Sequence, residues 1–277
     1  MSGKLYLVAT PIGNLGDMSP RAVQVLSDAD FIAAEDTRVS VKLLNHFEIK
    51  KPLFSYHEHN HHEAGQKVVE RIINGETCAL VTDAGMTAVS DPGQDLVALC
   101  AEAGIEVLAV PGACSPVCAL ALSGLPTGRF TFEGFLSTSN KERQTQLDEL
   151  HGEKRTMVFL EAPHKLCTTL DDLLKTFGAE RRIALCREMT KLHEETLRMT
   201  IGEAVEYFKN SPPRCEFVLV VEGKTEDDNP AADMDTALLA VSKYRDEGYS
   251  LKDATRRVSE ETGISRKVLY DAAVKGR

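Results

Sequence analysis

The sequence predicts an α/β protein with two successive sheet-containing domains and a small helical module at its C-terminal end. Apolar runs alternate with helical segments along the first half, and strands that are apolar at every position are typical of a parallel sheet covered on both faces. In the second half, residues 196–200 (TLRMT) alternate in polarity, which indicates antiparallel pairing within a mixed sheet. A polar, proline-containing stretch, residues 225–233, predicts a linker before the last helices.

Sequence signals predict where the strands and helices of the first half begin and end. The apolar run of residues 4–9 predicts a buried strand that opens into a loop at Pro11. Residues 21–27 have helical spacing after the start signal Ser19-Pro20. The remaining predicted elements continue the alternation, with strands at residues 30–34, 51–56, 77–83 and 105–110, and helices at residues 39–47, 64–74 and 95–103.

A helix of small residues (ACSPVCALALSG) leads into the second half. The elements predicted there are strands at residues 130–135, 156–160, 182–187, 195–201 and 216–221, and helices at residues 141–150, 164–177 and 201–209. Three short helices follow the linker. Ser250 and Asp253 resemble a capping box at the start of the second, Gly263 follows that helix, and Ser265 is placed to cap the third. We therefore expect units at residues 1–114, 115–224 and 234–277.

Composition excludes several classes of protein. The 277 residues are 43% hydrophobic and 27% charged, a globular composition long enough for two domains without disulfide cross-links. The seven cysteines are odd in number and lack C-x-x-C spacing, which favours a reducing compartment. No leader-like segment and no apolar run of about 18 residues is present, so we expect a cytoplasmic protein without a membrane span.

The charge is unevenly distributed along the chain. The formal net charge is −10, whereas residues 250–277 contain seven Lys and Arg against four Asp and Glu. A strongly acidic chain is a poor general nucleic-acid binder, because phosphate contacts need cations. The basic tail is either a solvated helical surface or a contact for an anionic partner.

Three loops rich in glycine and proline predict a small-molecule site. The segments TPIGNLGD, DAGMTAVSDPG and PGACSP each follow a predicted strand of the first half, and ligands bind at the carboxyl ends of strands in open α/β sheets. Glycine lets such loops approach a ligand with their backbone, although each loop alone would equally suit a tight turn. The chain lacks G-x-G-x-x-G, G-x-x-x-x-G-K-[ST] and G-x-S-x-G, which argues against dinucleotide-binding, P-loop and α/β-hydrolase sites.

Two polar clusters are candidates for chemistry. Glu35, Asp36 and Arg38 lie just after the second predicted strand, where they can position a ribose hydroxyl or contact a phosphate. The alternative is a helix N-terminus that carries favourable acids. The histidines of YHEHNHHEAG offer imidazoles to a metal, yet cysteine ligands are absent nearby, so we expect an exposed loop and no metal site.

Several motifs together identify a family resemblance. The segments ATPIGNLGD, AAEDTR, SDPG, PGACS, FEGFL, MVFLEAPHKL, REMTKLHEE and EFVLVVEG follow one another as in the bacterial small-subunit ribosomal RNA (cytidine-2′-O)-methyltransferase I family. The chain closely resembles this family, part of the tetrapyrrole methylase superfamily, over residues 4–224. The resemblance implies a class III methyltransferase fold, in which two α/β domains hold S-adenosylmethionine in the cleft between them, and it implies a homodimer.

The resemblance also implies an activity, 2′-O-methylation of a cytidine ribose in small-subunit ribosomal RNA near the decoding centre. The residues matched to the cofactor site are Pro11, Ile12, Asp83, Ala84, Gly85, Met86, Thr87, Cys114, Ser115, Leu160, Cys186 and Cys215. A ribose hydroxyl is a poor nucleophile that a nearby base would help, and the candidates are Asp36, Glu35 and Glu161, with His164 and Glu188 behind them. Contacts to the RNA are expected from Arg38, Arg143, His164, Lys165, Arg256, Arg257, Arg266 and Lys267.

The chain departs from the family pattern at two places. Met86-Thr87 stands where the family usually has Thr-Pro, and Cys215 stands where it usually has glycine. Two other functions are considered, methylation of a tetrapyrrole ring carbon on the same fold, and ribosome assembly by an RNA-binding factor without catalysis. The ATPIGNLGD and AAEDTR motifs and the basic tail argue against the ring methylase, whereas cofactor binding without methyl transfer to any RNA would favour the assembly factor.

Overall fold

The first half of the chain folds into a five-stranded sheet whose strands all run parallel. The computed structural model describes residues 3–225, 234–262, 264 and 266–275. The strands are β1 (Lys4–Val8), β2 (Phe31–Ala34), β3 (Leu53–Ser55), β4 (Cys78–Val81) and β5 (Glu106–Val110), in the spatial order β3-β2-β4-β1-β5. The helices between them are α1 (Pro20–Asp28), α2 (Thr37–His46), α3 (His61–Ile73) and α4 (Gln94–Glu102).

Helices cover both faces of this first sheet. Val68 of α3 and Leu96 of α4 share one buried cluster with Phe31. Leu26 of α1 lies in a second cluster with Ile32, whose side chain points to the opposite face because side chains alternate along a strand. Each such side chain contributes about 1.5–3 kcal/mol when it is fully buried. The prediction of a parallel sheet covered on both faces is confirmed.

The second sheet is mixed, as the alternating strand predicts. Its strands are β6 (Phe130–Phe135), β7 (Thr156–Glu161), β8 (Arg182–Arg187), β9 (Glu195–Thr200) and β10 (Phe217–Val221), in the order β6-β7-β10-β8-β9. Only β6 and β7 pair in parallel, and the other neighbours are antiparallel. The helices of this half are α5 (Ser115–Leu122), α6 (Asn140–Leu150), α7 (Leu166–Phe177) and α8 (Ile201–Asn210).

The two faces of the second sheet are covered by different helices. Leu147 of α6, Leu170 of α7 and Phe208 of α8 belong to one cluster. On the other face, Leu120 of α5 packs in a cluster against which Ile12, from the loop after β1, is also packed. The loop after β1 therefore joins the first sheet to the core of the second.

The last helices form a small bundle with its own core. They are α9 (Met234–Asp246), α10 (Leu251–Thr262) and α11 (Arg266–Lys275). Val241, Val258 and Leu269 are buried together. The predicted cap of α10 is present, since the Asp253 amide donates to Ser250 Oγ at 3.1 Å. Gly263, Ser265 and most of the predicted linker, residues 226–233, lie outside the described residues.

Some predicted boundaries are displaced. The third helix begins at His61 rather than at residue 64, because the Asn60 side chain accepts from the His57 amide at 2.8 Å and closes a turn just before it. The helix predicted from residue 164 begins as a short 3₁₀ turn, Pro163–Lys165, before α7. None of the described helices combines the length and the apolar composition that a bilayer crossing requires.

Candidate functional site

A cavity of about 570 Å³ lies where the carboxyl ends of the first sheet face the second sheet. This volume falls within the range of roughly 300–1,000 Å³ that is usual for small-molecule sites. All the predicted cofactor residues except Pro11 and Thr87 line it. We call this space the main cavity. Lining residues that the sequence analysis did not select are Thr82, Val89, Ser90, Asp91, Pro116, Phe135, Arg187, Met189, Lys191, Arg214, Glu216, Phe217 and Val218.

Backbone hydrogen bonds lock two of the glycine-rich loops together. The Thr10 amide donates to the Gly85 carbonyl at 2.9 Å, and the Gly85 amide donates back to the Thr10 carbonyl at 3.0 Å. Gly85 has a φ of 87°, and a Cβ atom there would lie 3.3 Å from the Ile12 side chain. Glycine is favoured at such a position because L side chains rarely adopt this φ. The two loops are therefore joined through their backbones beside the main cavity.

The Met86-Thr87 departure has a structural consequence inside this loop. Met86 lines the main cavity, whereas Thr87 is buried with 1% of its surface exposed. Its hydroxyl has no hydrogen-bond partner among the described residues. A buried hydroxyl without a partner costs about 1–3 kcal/mol, so Thr87 places a polar group inside the loop at some expense of stability.

The predicted cluster after β2 divides into two parts. Glu35 lines the main cavity and accepts hydrogen bonds from the Thr82 hydroxyl at 2.6 Å and from the Asp83 amide at 3.4 Å. Asp36 and Arg38 are not part of the cavity lining. Asp36 instead caps α2 by accepting from the Arg38 amide at 2.8 Å.

An ion pair reduces the basicity of Asp36. The Arg38 guanidinium donates to both carboxylate oxygens, with Nη2 2.6 Å from Oδ2. The side-chain and backbone hydrogen bonds from Arg38 lower the pKa of Asp36 to about 2. This arrangement corresponds to the alternative interpretation, in which the acids stabilise a helix N-terminus, and it disfavours Asp36 as a proton acceptor.

Asp91 shows the opposite behaviour, and the sequence analysis did not select it. Asp91 lines the main cavity, and burial, followed by the charge of Glu35, raises the pKa of its carboxyl group to about 6. Burial also raises the pKa of Asp83. The SDPG segment signals a turn, but nothing in it reveals that Glu35 and Asp83, from two other strand ends, lie near the carboxylate.

Glu161 forms the second-sheet wall of the main cavity and is almost completely buried. It accepts hydrogen bonds from the Thr169 hydroxyl and from the Ala162 amide. The Arg143 guanidinium donates to Thr169 Oγ1 at 2.8 Å and to Asp172 at 2.8 Å. The Arg143 side chain is only 11% exposed, so the network places it beneath the wall and argues against a phosphate contact.

A segment with unusual backbone closes the same wall. Glu188 and Thr190 have φ values of 52° and 66°, in the left-handed region that non-glycine residues rarely occupy. Lys191 donates to Glu188 at 2.8 Å, and its side chain lies against Gly13 of the first loop. This segment therefore bridges the two sheets beside the main cavity.

The remaining predicted contacts lie away from the main cavity. His164 and Lys165 are in the 3₁₀ turn before α7 and do not line it. In the helical bundle, Arg257 lies over the Tyr249 ring at 4.5 Å, and Arg256 is 3.6 Å from Asp253. Arg266 and Lys267 lie at the exposed start of α11.

The histidine cluster does not assemble a metal site in the part of the chain that the structure describes. His61 Nδ1 instead lies 2.5 Å from Asp95 Oδ2 at the start of α4. Its neighbour His62 stacks against it with ring centroids 4.0 Å apart. The cluster thus forms a surface loop and the first turn of α3.

The family model named Tetrapyrrole (Corrin/Porphyrin) Methylases matches residues 4–205. The ribosomal RNA small subunit methyltransferase I of Synechocystis is 48% identical over 273 residues, which cover 99% of this chain and 98% of that protein. The protein of the same name from Halalkalibacterium halodurans is 45% identical, with coverages of 97% and 94%.

Solved structures share the fold at low sequence identity. Diphthine synthase gives a TM-score of 0.62 with 14% identity, covering 80% of this chain and 91% of that chain. The uroporphyrin-III C-methyltransferase of Thermus thermophilus, complexed with S-adenosylhomocysteine, gives a TM-score of 0.55 with 18% identity, covering 79% and 97% of the two chains.

Proposed function

Because the chain belongs to the tetrapyrrole methylase family, in the branch of the ribosomal RNA small subunit methyltransferases I, we propose that it methylates small-subunit ribosomal RNA. It is an S-adenosylmethionine-dependent methyltransferase. The reaction that we propose forms a 2′-O-methyl group on a cytidine ribose near the decoding centre.

One observation carries the choice of RNA over a tetrapyrrole ring. The match to the ribosomal RNA methyltransferases extends over 99% of this chain, whereas the solved uroporphyrin-III methyltransferase covers 79% of it. The fold alone therefore does not distinguish the two substrates. The match to the RNA enzymes over almost the full length of both chains, at 48% sequence identity, favours RNA. The net charge of the chain is −10, yet its tail, residues 250–277, is basic, which suits an anionic partner.

The residues of the main cavity fit S-adenosylmethionine. This cofactor carries sulfonium and ammonium cations, and Glu35 and Asp83 place carboxylates on the first-sheet wall. Ile12 and Leu160 supply apolar surface, and Gly85 lets the backbone approach closely. When it is bound, the cofactor supplies an already activated methyl group, so the protein chiefly provides alignment of the acceptor.

We assign the cofactor to the predicted residues that line the main cavity. Pro11 and Thr87 would then act by shaping the loops rather than by contact. Among the predicted catalytic residues, Glu35 and Glu161 remain candidates for positioning the acceptor hydroxyl, because both residues line the cavity. Asp36 and Arg38 would organise the start of α2, and Arg143 would support Glu161 through Thr169.

We also propose that α9, α10 and α11 contact the RNA through Arg256, Arg257, Arg266 and Lys267, and that the protein is a cytoplasmic homodimer. Of these, the RNA contact is supported by the exposed position of the basic side chains. The division into units at residues 1–114, 115–224 and 234–277 is supported by α5, which packs on the second sheet. Dimerisation follows from the family resemblance alone.

The test is methyl transfer from radiolabelled S-adenosylmethionine, offered separately to assembled small ribosomal subunits and to a tetrapyrrole precursor. The proposed function predicts label on the ribosomal RNA and none on the tetrapyrrole. Gly85→Val is the control, because it should block the main cavity and abolish labelling. Label on the tetrapyrrole alone would overturn the substrate, and cofactor binding without label on either acceptor would favour the assembly factor.

A further inference from the structure

Asp91 stands where two spaces on the protein surface meet. Asp91 lines the main cavity and also a second depression, which has a volume of about 380 Å³. Glu58, His61 and Asp95 also line this depression. A ligand in the main cavity and an acceptor that approaches from outside could therefore both reach the carboxylate of Asp91.

Three of the other carboxylates that line the main cavity already have ion-pair or hydrogen-bond partners. Glu188 is paired with Lys191 at 2.8 Å. Glu161 accepts hydrogen bonds from Thr169 and from its neighbour's amide, and Glu35 accepts from the Thr82 hydroxyl and the Asp83 amide. Each of these bonds occupies carboxylate lone pairs that an acceptor hydroxyl would otherwise use.

No cation among the described residues pairs with Asp91, which distinguishes it from Glu188. The Thr82 hydroxyl is its hydrogen-bond neighbour, and the charged groups nearest to it in the main cavity are Glu35 and Asp83. On the side of the depression, the titratable groups are Glu58, His61 and Asp95, of which His61 is already paired with Asp95. Partial burial and like charges therefore leave the carboxylate with a high affinity for a proton.

The backbone around Asp91 is held in a fixed and unusual shape. Ala88 and Ser90 have φ values of 64° and 60°, and Gly93 has a φ of 144°. A Cβ atom at Gly93 would lie 2.9 Å from the Leu80 side chain, so the loop is packed directly onto β4. Left-handed residues of this kind cost about 1–3 kcal/mol each and persist where the surrounding structure over-determines them. The loop thus presents the carboxylate in a preset position.

We propose that the Asp91 carboxylate is the general base of the methyl transfer, an inference that rests on the proposed function. The acceptor O–H bond breaks and its proton passes to the Asp91 carboxylate, while the oxygen forms a bond to the methyl carbon. The bond between that carbon and the donor sulfur breaks, and its electron pair stays on sulfur as a neutral thioether. Asp91 then returns the proton to solvent through the depression.

The protonation behaviour of Asp91 suits this role. Burial and the neighbouring acids raise the pKa of Asp91 to about 6, and a base is most effective when its pKa lies near the operating pH. The wild-type rate should rise with pH through about 6 as the carboxylate ionises, and level off above it. Asp36, with a pKa of about 2, would impose no such rise.

The experiment compares Asp91→Asn, Asp91→Glu and the control Asp28→Asn, at an exposed position at the end of α1, in single-turnover methyl transfer to small ribosomal subunits between pH 5 and 9. Binding of S-adenosylhomocysteine by calorimetry is the second readout. Asp91→Asn should lower the rate by about 100-fold or more and remove its rise near pH 6, with binding changed by less than a few-fold. Asp91→Glu should recover part of the rate, and Asp28→Asn should behave like the wild type.

Three results would contradict the proposal. An unchanged rate, or a rise near pH 6 that survives in Asp91→Asn, would show that another group takes the proton. Binding of S-adenosylhomocysteine weakened by the same factor as the rate would make Asp91 a cofactor contact instead. A wild-type protein that methylates no RNA would remove the proposed function and this inference together, whereas an active wild type with an unaffected Asp91→Asn removes only the inference.

Discussion

Asp91→Asn should make the protein more stable at pH 8 while it makes the enzyme slower. The folded protein raises the pKa of Asp91 from 3.8 to about 6, so it favours the protonated carboxyl over the charged one. Stability from this group is fully present below about pH 4 and is lost as the pH rises through 6. Asparagine removes the charge and has nearly the same size and shape as aspartate.

The magnitude follows from the size of the pKa difference. A difference of about two pKa units corresponds to roughly 3 kcal/mol, since each unit is worth about 1.36 kcal/mol. Asp91 is only half-buried, so solvent screening reduces the effect, and we expect Asp91→Asn to gain about 1–2 kcal/mol at pH 8. Below about pH 4 the two proteins should differ little, because the wild-type carboxyl is then protonated.

The assay is urea-induced unfolding of both proteins at several pH values from 4 to 8. The difference in the free energy of unfolding should grow between pH 4 and 6 and stay constant above. Asp36→Asn is the matched comparison with the opposite sign, because the stability from Asp36 is present above its unfolded pKa and is lost as the pH falls through about 2. A difference for Asp91→Asn that does not depend on pH, or a loss of stability at pH 8, would refute this reasoning.

Three further predictions follow from other parts of the site. Asp36→Asn should reduce methyl transfer by no more than a few-fold, because asparagine also caps helices well, and a loss of tens-fold in a rate assay would restore Asp36 as the base. Gly85→Ala should lower the free energy of unfolding, measured in urea, by about 1 kcal/mol or more, because Gly85 has a φ of 87°. The same variant should bind S-adenosylhomocysteine more weakly. Unchanged binding would show that the loop backbone does not form the cofactor site. Replacing Arg256 and Lys267 together by alanine should lower the slope of RNA affinity against salt by about 2, measured by filter binding, whereas the exposed Lys209→Ala should leave the slope unchanged. Equal slopes for the double variant and the wild type would mean that the bundle does not hold the RNA.

The sequence was sufficient to predict the secondary structure and the location of the cavity, because both depend on local patterns. Apolar runs such as residues 4–9 and 77–83 correspond to strands β1 and β4. The loops after them contain glycines, and Gly85 indeed occupies a left-handed conformation that other residues avoid. A parallel sheet brings its carboxyl strand ends to one edge, so the loops meet without any further information.

The roles of charged side chains depended on contacts that only the folded structure defines. Asp36 and Arg38 lie two positions apart, yet only the start of α2 shows that they pair with each other rather than with a ligand. Arg143 has a charge suited to phosphate, but it is used by Asp172 and Thr169 of a different helix. The pKa of Asp91 is set by burial and by strand ends far along the chain, which no local pattern records.

Local sequence patterns did not predict the strand order of the second sheet either. The last strand, β10, lies at its centre between β7 and β8. Its five residues are all buried, which is consistent with a central strand but does not specify its neighbours. Antiparallel pairing was predicted only for the alternating segment that became β9, and the pairing of β10 with β7 is set by packing across the whole sheet.

The most direct test of the central claim is mass spectrometry of ribosomal RNA from host cells that lack this chain. Small-subunit RNA from such cells should lose one 2′-O-methylcytidine, which the wild-type chain should restore and the Gly85→Val variant should not. Unaltered 2′-O-methylcytidine in the deletion strain, or loss of a methyl group from a base or from large-subunit RNA instead, would contradict the account.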